Sequence, residues 1–218
     1  MSAWSRAAAV ALTTIALSVS PSVASADETA SKPIGRVAIG DEMRGYYKSE
    51  RDIAILFTGL GAASVGGGSV LATRDGDFAR GLGWSMIVVG GVQLLVAIFY
   101  GLQVSHELDH YEKSLAANPG VFKIEEGEHI HGTTSRFTWY RAGELAIAGA
   151  GVGAAIYGFA ANEDTWKGIG IGVAAEALAF FVIDSFGQAR AHRYEKKVID
   201  FNPSVAAGGG GMSFGGTF

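Results

Sequence analysis

The chain has 218 residues, 32 of them glycine and none cysteine, with 49% hydrophobic residues against 17% charged and a net charge of −4. That balance excludes a disordered chain and departs from ordinary soluble domains. The missing cysteines exclude disulfides, Cys-ligated zinc and a lipidated N-terminal cysteine, and the acidic charge points to no nucleic-acid partner.

In chain order, residues 1–26 read as a signal peptide. Arg6 is a short basic start, "AAAVALTTIALSV" is an apolar stretch, Pro21 breaks it, and "ASA" ending at Ala26 is a small-x-small cleavage site. The chain after Ala26 is expected to be exported into a bacterial cell envelope. Residues 27–52 form an exported N-terminal segment.

Four long apolar segments follow, at 53–73, 81–104, 142–161 and 168–187. About twenty apolar residues span a bilayer core as helix. The first two carry no charge; the others carry Glu144, Glu176 and Asp184. Short polar turns, "RDGDFAR" and "EDTWK", join them in antiparallel pairs.

The two pairs are copies of one unit. "HYEKSLAANPG" from His110 matches "RYEKKVIDFNPS" from Arg193, with Tyr111 and Tyr194 83 residues apart and the prolines Pro119 and Pro203 84 apart. "YYK" at Tyr46 matches "WYR" at Trp139, 93 residues on, and both suit a membrane interface. Repeat 1 covers 53–134 and repeat 2 covers 135–218. In each, the second helix of a hairpin runs into a charged stalk that ends at Asn-Pro. A β-hairpin is expected next: "VFKIEEGEHIHG" alternates around a Glu-Glu-Gly turn, and "SVAAGGGGMSFGGTF" repeats the plan with a glycine turn. The predicted fold is therefore an all-α membrane protein of two duplicated transmembrane helical hairpins, a four-helix bundle, each hairpin followed by a charged stalk and a short β-hairpin.

Small residues crowd the first helix of each hairpin, in "GLGAASVGGG" and "GAGVGAAIYG". In lipid such residues let backbones approach. Gly59, Gly61, Gly149 and Gly153 are the expected packing positions, against the hairpin mate or another chain. Glu176 sits near the middle of the fourth segment, where a carboxylate costs about 2.5–3.5 kcal/mol to insert. Its repeat equivalent, 83 residues earlier, is Gln93. An interhelical hydrogen bond is the plain reading of this pair, and a proton or cation path the sharper one. Asp184, near its helix end, is expected to reach interfacial water or Arg190.

"VSHELDHYEK" contains H-E-x-x-H. On a helix this puts His106 and His110 on one face, with Glu107 beside them as a base for metal-bound water. His129 and His131 of "EHIH" offer further ligands. The motif resembles that of zinc metallopeptidases, which would imply zinc at His106 and His110 and a catalytic role for Glu107. It departs from them at Asp109, a charge where those families favour uncharged residues. The second copy carries Ala189, Arg190 and Arg193 at these positions. What both copies share is a charged stalk with no metal, and no cofactor is expected.

Arg and Lys concentrate on the stalk side, which the positive-inside rule would place in the cytoplasm. A cleaved signal places the same side outside. The signal is followed here, because acidic residues alternate with the bases. The pattern as a whole resembles uncharacterised exported bacterial envelope proteins with Gly-rich hairpins and a Gly-rich, Phe-terminated tail. That resemblance implies no activity. The expected function is a non-enzymatic scaffold or envelope-complex subunit in the lipid bilayer, as a homo-oligomer or with other envelope proteins, in the inner rather than the outer membrane. The alternatives are a zinc-dependent hydrolase built on His106, Glu107 and His110, and an ion- or proton-conducting oligomer using Glu176.

Overall fold

A computed structural model of the chain describes residues 34–205. Four long helices account for nearly all of them: α1 (Arg36–Ala72), α2 (Asp77–Ala117), α3 (Pro119–Ala161) and α4 (Asp164–Asp200). At about 1.5 Å per residue each is roughly 55–65 Å long, close to twice the hydrocarbon thickness of a bilayer. All four are long and apolar enough to cross a membrane. α1 packs along α2, α3 along α4, and α2 along α4 joins the pairs, while α1 touches α4 only lightly.

The first predicted β-hairpin is absent. Residues 121–132 are the opening turns of α3. Asn118 Oδ1 accepts from the backbone N–H groups of Gly120 and Val121 at 3.1 and 3.3 Å, and Pro119 occupies the first turn, where its missing N–H costs nothing. Asn-Pro thus ends α2 and starts α3 within one residue. The buried positions, Phe122, Glu126, Ile130, Thr134 and Phe137, recur every three or four residues, the helical period that the local alternation obscured. The second predicted hairpin lies almost wholly outside the described residues. Among those residues no strand forms. A lone parallel bridge pairs Ile34 with Phe201 and ties the start of α1 to the end of α4.

Each helix therefore has two halves, and α1 runs unbroken past residue 52 just as α3 runs past residue 134. The stalk half is a four-helix bundle of ordinary construction. Ile39, Met43, Tyr47, Phe122, Ile130, Val198 and Phe201 are fully buried in it, with most charges outside and Glu126 inside. Tyr46 stacks on Tyr194 at 4.6 Å between ring centres. Tyr46 and Tyr47 are thus core residues, whereas their repeat partners Trp139 and Tyr140 are 79% and 53% exposed, as an interfacial position requires.

The apolar half is built the other way round. Its buried positions are mostly glycine, alanine and serine, and its large apolar side chains face outward, among them Ile55, Val96, Phe99, Leu102 and Ile156. No more than 28% of the most apolar window of any helix is buried. Backbones meet directly. A Cβ on Gly61 would stand 2.8 Å from the Gly90 carbonyl oxygen, and one on Gly151 2.6 Å from the Ala174 amide nitrogen. Between the pairs, Gly81 lies against Thr165 and Gly168 against Phe78. Of the four expected packing glycines only Gly61 lies in such a contact. Gly59, Gly149 and Gly153 have open space where a side chain would go. The inward face of α3 is Ala148, Gly151 and Gly158 instead. Gly59, Gly149 and Gly153 therefore do not pack against the hairpin mate.

Gly151→Val should destabilise the detergent-solubilised monomer by about 1–3 kcal/mol, because the added methyl groups have only backbone to displace. Gly149→Val, two residues away, should stay within about 0.5 kcal/mol of wild type. Thermal unfolding followed by helical circular dichroism separates the two.

Candidate functional site

The polar chemistry of the chain gathers in the stalk core and at its boundary with the apolar half. At the centre of the stalk, Glu126 is 0% exposed. Helical spacing places it among Phe122, Ile130 and Thr134 on the inward face of α3. Tyr47 Oη donates to both its carboxylate oxygens, at 3.1 and 3.2 Å. The buried Tyr194 hydroxyl lies close enough to act on the same charge. Burial pushes the Glu126 carboxyl up to about 7, against the neighbouring Tyr194 hydroxyl, the nearby His129 and the bonds from Tyr47.

One turn further along α3, His129 Nε2 stands 3.4 Å from Glu107 Oε2 of α2, with both side chains about four-fifths buried. Burial alone would raise Glu107. The bonds from His129 and Gln103 outweigh it and hold the carboxylate below its usual range, and the same contact raises His129. This is the role of Glu107 in the stalk: it pairs with a histidine. His131 Nδ1 lies 2.8 Å from Glu195 Oε1, and His110 Nε2 lies 3.8 Å from Glu125 Oε2. His106 is exposed. The structure does not bring His106, His110, His129 and His131 together, and among the described residues no three His, Asp or Glu side chains are arranged to hold a metal ion.

At the boundary, Tyr100 Oη donates to Glu50 Oε2 at 2.6 Å, and Arg190 Nε stands 3.8 Å from the other oxygen of Glu50. Beside them Arg141 Nη1 donates to Gln188 Oε1 at 2.8 Å, and its guanidinium covers the Phe181 ring at 4.6 Å. Asp184 neighbours Glu144 of α3, which in turn neighbours Arg141. Asp184 therefore meets a second carboxyl group rather than Arg190.

Deeper in the apolar half, Gln93 is 8% exposed, and its Nε2 has no hydrogen-bond partner among the described residues. Neither has either carboxylate oxygen of Glu176, which lies beside Ser64 of α1. The expected hydrogen bond between the two is thus not formed.

Reading the sequence missed Glu126, Glu50, Tyr47 and Tyr194 as a buried polar set. The available signal was the four-residue spacing from Phe122 to Thr134, together with the tyrosines at equivalent places in "HYEK" and "RYEK". No family model, curated protein or solved structure matches this chain.

Two measurements test this arrangement. A carboxyl group with a raised folded value binds more protons in the native than in the unfolded state between the two values. Stability therefore falls as pH rises from the ordinary 4.5 of Glu126 to about 7, and the loss is complete above that. Raised His129 acts in the same direction, its stabilisation fading as pH climbs past its ordinary 6.5. Glu126→Gln removes the first effect alone, so its thermal midpoint relative to wild type should be a few degrees higher at pH 8 than at pH 5. An equal offset at both would show that Glu126 titrates alike in folded and unfolded chains. Separately, His129→Ala should cost about 1–2 kcal/mol by stranding Glu107, while His106→Ala should change neither stability nor the zinc content of purified protein.

Proposed function

We propose that the chain is an exported, integral protein of the bacterial cell envelope that acts as a scaffold or complex subunit and self-associates through small-residue helix faces. The observation that carries this is the reversal of side-chain size between the two halves: large residues inside and most charges outside in the stalk, small residues inside and large apolar ones outside in the rest. A surface carrying Phe99 at 70% exposure and Leu102 at 67% is unfavourable in water and suits lipid tails. Self-association rests on Gly59, Gly149 and Gly153, which face outward over open space and would let a second backbone approach. The envelope location rests on residues 1–26, which lie outside the described part of the chain. The stalk then presents a charged surface on the exported side, where its grooves are open and no enclosed substrate cleft appears among the described residues.

A second reading, an oligomer conducting protons or cations, draws on the unpartnered carboxylate of Glu176 and amide of Gln93. Ionisable groups inside a membrane are rare and face the bundle interior or a water-filled path. Flux across liposomes that disappears in Glu176→Gln would establish that reading, and its absence would remove it.

For the principal reading, carbonate-washed membranes from cells expressing the tagged chain should retain it. Cross-linking should trap oligomers that Gly149→Leu combined with Gly153→Leu reduces at least severalfold. Recovery in the soluble fraction would overturn the membrane placement, and unchanged cross-linking would overturn the proposed face.

A further inference from the structure

One side of the stalk bundle, between α1 and α4, carries a groove lined by charged and aromatic side chains. The groove has a volume of about 700 Å³ and runs along the α1/α4 seam, above the stacked rings of Tyr46 and Tyr194. Its walls include Tyr46 and Ser49 of α1 and Arg190, Arg193, Tyr194 and Lys197 of α4. The three cations follow an i, i+3, i+7 spacing, which sets them along one face of a helix. They are not equally engaged. Lys197, at the outer end, stands 3.6 Å from Glu42, and the other acid of the groove, Asp41, is held by Arg44 at 2.9 Å. Arg193 forms no ion pair among the described residues and is exposed. Arg190 has Glu50 at 3.8 Å but no hydrogen bond to it. Its Nε and one terminal nitrogen are buried without a partner, while about a quarter of the side chain stays exposed. Glu50 spends its better contact on Tyr100. A guanidinium whose donors lack acceptors is costly, and its fork fits phosphate oxygens.

Depth along α4 supplies the second argument. The apolar run of α4 ends at Gly187, and at 1.5 Å per residue Arg190 lies about 5 Å beyond it and Arg193 about 9 Å. The headgroup layer occupies roughly the first 5–8 Å outside the hydrocarbon. The stacked rings of Tyr46 and Tyr194 beside these cations are amphipathic surfaces of the kind favoured at that depth.

We propose that the α1/α4 groove binds the phosphate of an anionic phospholipid headgroup, with Arg190 and Arg193 as donors and Tyr46 and Tyr194 as its floor. The inference rests on the membrane reading above. It assigns this groove to a lipid, which would enter from the bilayer along the open side between α1 and α4.

The test uses the full chain reconstituted in phosphatidylcholine vesicles with or without phosphatidylglycerol, re-extracted, and weighed with its retained lipid by native mass spectrometry. Phosphatidylglycerol should be retained over phosphatidylcholine by about tenfold, corresponding to about 1.4 kcal/mol. Arg193→Gln, at an exposed position that folding does not need, should abolish most of that preference, as should Arg190→Gln where circular dichroism shows it folded. Lys48→Gln, a basic residue near the same depth but outside the groove, should leave it intact. Equal retention of the two lipids, or an equal loss in Lys48→Gln, would overturn the site. Displacement of the bound lipid by millimolar inorganic phosphate would assign the groove to a free anion and overturn the lipid proposal. A chain that stays soluble without detergent and carries neither lipid would overturn the membrane reading itself, an outcome distinct from equal retention in a membrane-embedded protein.

Discussion

Direct backbone contact through glycine is the constraint on which the rest of this structure depends. In the apolar half the helices gain little by hiding large side chains from lipid, since lipid is as apolar as they are. Association there must come from close packing, and packing at this distance leaves no room for a Cβ on either side, as at Gly61 against Gly90 and Gly151 against Ala174. Once the interior is filled by backbone, Ile, Leu, Val and Phe have nowhere to go but outward. The reversed surface that marks the membrane-facing half follows from the glycines.

The same helices obey the opposite rule a few turns further on. Beyond the apolar segments water supplies a hydrophobic driving force, so burying Met43, Phe122, Ile130 and Phe201 is worth about 1.5–3 kcal/mol each. Larger side chains hold the helices further apart, and the wider interior has room for the tyrosines and Glu126. Between the two regimes lie residues that belong to neither: Glu50 with Tyr100 and Arg190, and Arg141 with Gln188, Glu144 and Asp184. Polar groups concentrate where the packing changes from glycine to aromatic, and the loosely packed α1/α4 seam opens next to them.

The matching stretches "HYEK" and "RYEK", and "YYK" and "WYR", meet different surroundings in the fold. Tyr111 and Tyr194 are both core residues, yet Tyr46 and Tyr47 are buried while Trp139 and Tyr140 face out. The H-E-x-x-H of the first copy is part of this divergence. Its glutamate pairs with His129 of the neighbouring helix, and its two histidines point to other surroundings. The local pattern of a metal site arises here from a charged helix whose partners are a carboxylate and a histidine on α3.

Four helices, their pairing into hairpins, the turns between them and the apolar half of each helix were all legible in the sequence. Each is a local property of hydropathy, periodicity or turn chemistry. The opening half of α3 was legible in principle, through the spacing of Phe122, Glu126, Ile130 and Thr134. It was masked because the alternation of "VFKIEEGEHIHG" also fits a strand and Asn-Pro suits a helix start as well as a helix stop. Only the tertiary structure decided which glycines face inward, that Glu126 is buried against Tyr47, that Asp184 meets Glu144, and that His129 belongs to Glu107. Those facts depend on how four helices rotate about their own axes when packed. A one-dimensional pattern gives the spacing of a face but not its direction, because every glycine in "GAGVGAAIYG" satisfies the spacing and only the approach of α4 chooses among them.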